Sequence, residues 1–216
     1  MLSIAKHGSR SGIGGRGFTL IEMMIVVVIV GVLLAVGVPS LTTWVSTNKA
    51  AATTEFYMEG FRMARQQAVG HNAASRIVLT TNNSNGQLDW QVDLCYPTSA
   101  VPCSDSSGNW STPSTSAAGD QDGAAAYTSV FRAADNLPKL DVVVPTVQPS
   151  GAFAIYYSPL GWADPTFATR LSRIRFDPAA ARAGQFASTA IVVTLAGMPS
   201  KCDPTVAITD SRGCPP

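Results

Sequence analysis

The chain has 216 residues, enough for one ordinary domain beside an N-terminal apolar segment. Only 13% of them are charged, and three of the 15 basic side chains fall in the first 17 residues, which leaves 12 basic against 14 acidic groups and a formal charge of −2. That balance gives no general electrostatic case for nucleic acid, and the scarcity of charge suits an exported protein whose surface is largely covered by neighbours.

The opening stretch, MLSIAKHGSRSGIGGRG, carries Lys6, Arg10 and Arg16, no acid, and glycine at positions 12, 14, 15 and 17. A basic leader of this kind stays in the cytoplasm. The run from Met23 to Val38 has no charged residue, and counted from Phe18 the apolar segment is long enough to cross a hydrocarbon core of about 30 Å. The chain is therefore expected to run from inside to outside, with everything after Pro39 exported. One carboxylate, Glu22, lies inside the segment. An acid in hydrocarbon costs roughly 2.5 to 3.5 kcal/mol on insertion scales and calls for a named partner, and the run itself holds no basic residue. Two plain readings compete: a secretory signal cut near Ala35-Val36-Gly37, and an anchor helix that tolerates Glu22.

The residues Gly17-Phe18-Thr19-Leu20-Ile21-Glu22, with Pro39 further along the same helix, resemble the class III signal of type IV prepilins and type II secretion pseudopilins. The resemblance implies that a membrane peptidase and methyltransferase cuts on the cytoplasmic side after Gly17 and methylates the new amine of Phe18. Cleavage leaves the apolar helix on the mature protein. It also implies a partner for Glu22, the freed amine of a neighbouring subunit in the filament. On this reading residues 1–17 are the leader, 18–39 the transmembrane and filament-core helix, 40–72 its amphipathic continuation, and 73–216 a globular, β-rich domain.

Beyond Pro39, which lacks a donor and is expected to kink or loosen the helix, helical periodicity continues to about Asn72. Ala52, Phe56, Gly60, Met63, Ala64, Gln67 and Ala68 recur at three-to-four spacing, predicting the face that packs on a sheet. Gly60 costs the helix roughly 1 kcal/mol relative to Ala, which points to close packing there. Strands are predicted at 76–81 and at Leu88–Leu94, where apolar and polar residues alternate, joined through Asn85-Gly86 as a β-hairpin. Residues 95–126 are rich in Ser, Gly, Pro and Ala and read as a long surface loop. Within it Asp120-Gln121-Asp122-Gly123 only faintly resembles a calcium loop, because the Gly and the terminal Glu are missing at the required offsets. Further strands are predicted at 127–131, 140–144, 152–157, 172–177 and 188–196, with turns at Pro138, Pro145, Pro159-Leu160-Gly161 and Asp177-Pro178. The expected fold is α+β: a long N-terminal helix, transmembrane in its first half and amphipathic in its second, on an antiparallel sheet domain.

Cys95, Cys103, Cys202 and Cys214 all lie in the exported part, and an even count in an oxidising compartment favours disulfides. Three connectivities are possible, of which the sequence-local one, Cys95 with Cys103 and Cys202 with Cys214, is preferred over free thiols. A metal site is disfavoured by the wide spacings and by a single histidine, His71, beyond the leader. No nucleophile elbow, zinc-protease helix or phosphate loop is present, so the chain reads as a non-enzyme with no cofactor.

Two looser resemblances narrow the family. Ala64-Arg65-Gln66-Gln67-Ala68 is similar to the Ala-Arg-x-x-Ala segment near the helix end of FimT/FimU-type minor pilins and GspH-type pseudopilins, and Ser158-Pro159-Leu160-Gly161, Ile191–Leu195 and Gly197 are similar to the ending of that group. For FimT-like members the resemblance implies DNA binding through Gly-Arg-x-Arg, but here the segment reads Gly197-Met198-Pro199-Ser200-Lys201. Neither arginine is present, which disfavours DNA even though Arg170, Arg173, Arg175 and Arg182 lie near one another. The expected role is that of a minor type IV pilin incorporated near the filament tip to prime assembly. Its partners are then other major and minor pilins, the prepilin peptidase and an inner-membrane assembly platform. A GspH-type pseudopilin and a FimT-like DNA-uptake pilin are the alternatives.

Overall fold

The computed structural model describes residues 17–97, 102–105 and 109–215, so all of the leader expected over residues 1–17 except Gly17 lies outside the described residues. The chain divides into two compact units, one reaching Thr42 and the other beginning at Thr43.

One helix, α1 (Leu20–Gly70), enters both units and runs without a break through Pro39. In the first unit every large apolar side chain of this helix is exposed, from Leu20 to Leu41. In the second unit α1 turns a single stripe to the core: Ser46, Ala50, Thr53, Thr54, Tyr57, Met58, Phe61, Ala64 and Ala68 are buried. This stripe is rotated from the predicted one. Ala52 is exposed and Phe56, Met63 and Gln67 are half-buried, whereas Gly60, Ala64 and Ala68 face inward as expected. The threonines can be buried because their hydroxyls donate back to the helix, Thr53 to the Lys49 carbonyl at 2.9 Å and Thr54 to the Ala50 carbonyl at 3.0 Å. Gly70 is followed by Asn72 with φ 48°, and Ala73 N–H donates to the Ala68 carbonyl. Asparagine thus supplies the left-handed residue that ends the helix.

Among the described residues eight strands follow, in two four-stranded antiparallel sheets rather than the one expected. The first has the order β3 (Val130–Arg132), β2 (Leu88–Cys95), β1 (Ala74–Thr81), β5 (Ala154–Tyr157). The second has the order β4 (Val143–Gln148), β6 (Arg173–Pro178), β7 (Thr189–Val193), β8 (Pro199–Cys202). The hairpin registers Thr81 against Leu88, with Gly86 at φ 79° in its turn. Predicted strand 140–144 is displaced to Val143–Gln148, and β8 was not predicted. Both sheets and α1 share one core. Tyr57 stacks on Phe176 of β6 with centroids 5.2 Å apart, and its hydroxyl accepts the Leu88 N–H of β2 at 3.0 Å. Trp90 Nε1 donates to the Phe56 carbonyl at 3.0 Å.

Candidate processing and assembly site

Residues 17–19 precede the helix, and α1 starts at Leu20. Thr19 is the residue that caps it: its Oγ1 accepts the Glu22 N–H at 3.3 Å, and its carbonyl accepts the Met23 N–H at 3.2 Å. Thr19-x-x-Glu22 is the spacing of a capping box, in which an acid three residues into a helix also meets the positive end of the helix dipole. Sequence reasoning missed this second reason for a carboxylate at Glu22, although the Thr-x-x-Glu pattern was there to be read. The Glu22 carboxylate is exposed and has no ion-pair partner among the described residues. Phe18 is 75% exposed, and a Cβ added to Gly17 would meet nothing within 4 Å, so no packing among the described residues requires glycine there. Pro39 lies within α1.

The three segments that resemble the FimT/FimU and GspH group converge on one spot in the second unit. Arg65 Nε donates to the Gly161 carbonyl at 3.1 Å, and Ala163 N–H donates to the Leu195 carbonyl at 3.0 Å. Gly197, at φ 73°, approaches the same Gly161 carbonyl so closely that a Cβ would fall 1.9 Å from its oxygen. Around this contact Leu160, Trp162, Leu195 and Met198 are exposed.

The arginines considered for DNA are engaged within the chain. Arg175 pairs with Asp177 at 2.8 Å, Arg173 donates to the Pro215 carbonyl at 2.7 Å, Arg170 to the Phe167 carbonyl at 3.3 Å and Arg182 to the Asp141 carbonyl at 3.1 Å. Arg170 and Arg173 border a cleft of about 630 Å³. Lys201, at the end of the segment matched to Gly-Arg-x-Arg, is held in an ion pair with Glu55 of α1. The hydrogen bond from Lys201 keeps the Glu55 carboxyl below the usual carboxylate range.

Cys95 is bonded to Cys103 and Cys202 to Cys214, with Cα separations of 6.1 and 4.8 Å. The second bridge ties the C-terminal segment to β8, where Asp203 N–H donates to the Arg212 carbonyl at 2.7 Å. At Asp120-Gln121-Asp122-Gly123 the Asp120 carboxylate accepts backbone N–H groups from Asp122 at 3.1 Å and from Tyr127 at 3.0 Å, which is a loop-ordering role. Among the described residues no group of three or more His, Cys, Asp or Glu side chains could hold a metal ion.

Compared with known families, residues 15–38 match the Prokaryotic N-terminal methylation motif. No curated protein and no solved structure compared with the chain matches it. Among the described residues α1 is the helix long and apolar enough to cross a membrane. The methylation motif and this apolar helix fit a membrane-anchored, structural protein, and the motif supports placing the chain in the type IV pilin and pseudopilin family.

Proposed function

We propose that the chain is a minor type IV pilin, cut after Gly17, methylated on Phe18 and built into a filament near its tip, where it primes or supports assembly. The observation that carries this reading is the methylation motif over residues 15–38 set at the start of a 51-residue helix whose first half is apolar and bare. A helix exposed on all sides with such side chains is buried by lipid before assembly and by other helices after it. The globular unit supplies the outer surface, and the apolar residues around the Arg65 and Gly161 contact are available for lateral packing.

Direct capture of DNA is not part of the proposal, because the residues aligned with Gly-Arg-x-Arg lack both arginines and Lys201 is already paired with Glu55. The test is mass spectrometry of the protein from membranes and from sheared filaments. The expected species in both begins at Phe18 and carries one methyl group on its amine. A species beginning after residue 37 would show an ordinary secretory signal instead. Absence from every filament fraction would sink the pilin reading.

A further inference from the structure

The end of β4, the start of β6 and the end of β7 meet at one margin of the second sheet, where Gln148 registers against Arg173 and Arg173 against Val192. A cleft of about 630 Å³ opens there. That is the size of an ordinary small-ligand site, in which an apolar lining is combined with a few placed polar groups. Both are present. Ile155 of β5, Leu171 and Val193 line the cleft and are buried, and Leu195 adds an exposed apolar side chain. Gln148, Ser172 and Thr194 line it with exposed polar side chains.

Among the described residues the charged side chains lining the cleft are Arg170 and Arg173, and no carboxylate lines it. Each guanidinium is oriented by a backbone carbonyl, Arg173 Nη2 donating to that of Pro215 at 2.7 Å and Arg170 Nη1 to that of Phe167 at 3.3 Å. A carbonyl orients a guanidinium without neutralising it, and neither arginine has an ion-pair partner among the described residues. Arg175, two residues along β6, is by contrast paired with Asp177 at 2.8 Å. A guanidinium carries five N–H donors in a fork that matches a carboxylate, so Arg170 and Arg173 both keep donors to offer.

We propose that this cleft binds the C-terminal end of a partner polypeptide whose last side chain is apolar. The terminal carboxylate is taken by Arg170 and Arg173, and the last side chain lies on Ile155, Leu171 and Val193. The last peptide group meets the Gln148 carboxamide, which makes no hydrogen bond among the described residues, where Gln148 serves only through its backbone. An inorganic anion would leave the apolar lining unused, and a free apolar acid would leave Gln148 without a role. The site lies wholly within the second unit, so the proposal stands apart from the membrane-anchored pilin reading.

The test is fluorescence polarisation with the full chain in dodecyl maltoside and a fluorescein-labelled peptide, Ser-Gly-Ser-Gly-Ala-Leu, carrying a free C-terminal carboxylate. The same peptide as its C-terminal amide should bind at least about tenfold more weakly, because charge-assisted hydrogen bonds are lost. A peptide acid ending in glycine instead of leucine should also bind about tenfold more weakly, for want of the buried side chain. Arg170→Gln and Arg173→Gln should each weaken binding of the acid about tenfold and leave the amide unchanged, while Arg175→Gln, outside the cleft, should change neither. Equal binding of acid and amide, no binding of the acid by wild type, or full binding by both cleft variants overturns the proposal. So does 4-methylpentanoate that displaces the labelled peptide at as low a concentration as the unlabelled peptide does, since the occupant is then a free apolar acid. Acid and amide are compared on the wild-type chain, so the outcome does not depend on the variants folding. Cleavage after Gly17 and methylation of Phe18 are decided separately, by the mass of the mature chain.

Discussion

Arg65 Nε donates to the Gly161 carbonyl oxygen at 3.1 Å, and that oxygen occupies the place a Cβ on Gly197 would need. Arg65 thereby ties the helix to the 158–162 turn through this acceptor, and the 194–198 turn packs directly against it. Gly197→Ala forces both a non-glycine residue into φ 73° and a methyl group to 1.9 Å from backbone. The conformational part alone is worth about 1 to 3 kcal/mol, and the clash adds to it because backbone cannot swing aside. Denaturant unfolding should show a loss above about 3 kcal/mol or no folded protein. A loss under about 1 kcal/mol would mean that the two turns are not packed this tightly.

Gly60 makes a graded contrast. A Cβ there would meet Ile77 Cδ1 at 2.7 Å and the Trp90 ring at 3.0 Å, both side chains fully buried. Gly60→Ala gains about 1 kcal/mol of helix propensity and meets an overpacking cost of about 1 to 3 kcal/mol. The net expectation is a loss of up to about 2 kcal/mol. Stabilisation by about 1 kcal/mol, as at an exposed helical site, would show that the core yields.

These two glycines also mark what a sequence can and cannot say. Gly60 inside an otherwise regular helix was a local signal of close approach, and the alternation from Leu88 to Leu94 did define a half-buried strand, because both effects depend on neighbours in the chain. The α+β class followed from the same local periods. The buried stripe of α1 was misplaced because Thr53 and Thr54 look polar, yet their hydroxyls are satisfied within the helix. Pro145 was read as a turn, whereas it lies inside β4, an edge strand of its sheet, where a missing N–H is tolerated. Pro199–Cys202 has no apolar alternation and becomes a strand only through pairing with β7, so it could not be read from its own residues. The same holds for the division of eight strands into two sheets, which is set by contacts distant in sequence. At the N-terminus the motif was legible in full, but the cap that Thr19 provides was overlooked.

The bridge between Cys202 and Cys214 spans 12 residues and fastens the C-terminal segment to β8, beside the Lys201 that pairs with Glu55. Replacing both cysteines by serine should lower stability by about 3 kcal/mol or less, from loop-closure entropy returned to the unfolded chain. Denaturant midpoints of the oxidised protein and the double variant provide the comparison. Equal midpoints would show that the C-terminal segment contributes nothing to the folded unit.

All five tyrosines ionise less readily in the folded protein, first because burial disfavours the phenolate. Tyr127 and Tyr156 are pushed up to about 12, and Tyr57 and Tyr157 higher still. A group whose folded value is raised contributes stability that is complete below its unfolded value, about 10 for tyrosine, and lost as pH rises through the folded one. Stability should therefore be flat across neutral pH and fall between about pH 10 and 12. Phenolate absorbance should rise together with loss of near-ultraviolet dichroism. Tyrosines that titrate near pH 10 while the fold persists would contradict their burial.

Glu22 now has two physical reasons for its place, and they separate experimentally. As an acid three residues after the cap Thr19, it meets the positive end of the helix dipole and stabilises the start of α1 by about 0.3 to 1 kcal/mol, an effect inside one chain. As the proposed partner of a neighbour's Phe18 amine, it recovers part of the cost of a carboxylate in lipid and fixes the register of one helix against the next, an effect present only in the filament. Glu22→Gln keeps a side chain able to cap and removes the charge; Glu22→Ala removes both. If pairing governs assembly, the two variants should be cleaved normally and should both be depleted from filaments formed beside wild-type subunits. If capping governs, Glu22→Gln should enter at the wild-type level and only Glu22→Ala should fail. Gly17→Leu isolates the earlier step: a Cβ at Gly17 meets nothing within 4 Å, so the helix is undisturbed and the expected defect is an uncut precursor that retains Lys6, Arg10 and Arg16. Wild-type incorporation of both Glu22 variants would remove the assembly role from this residue altogether.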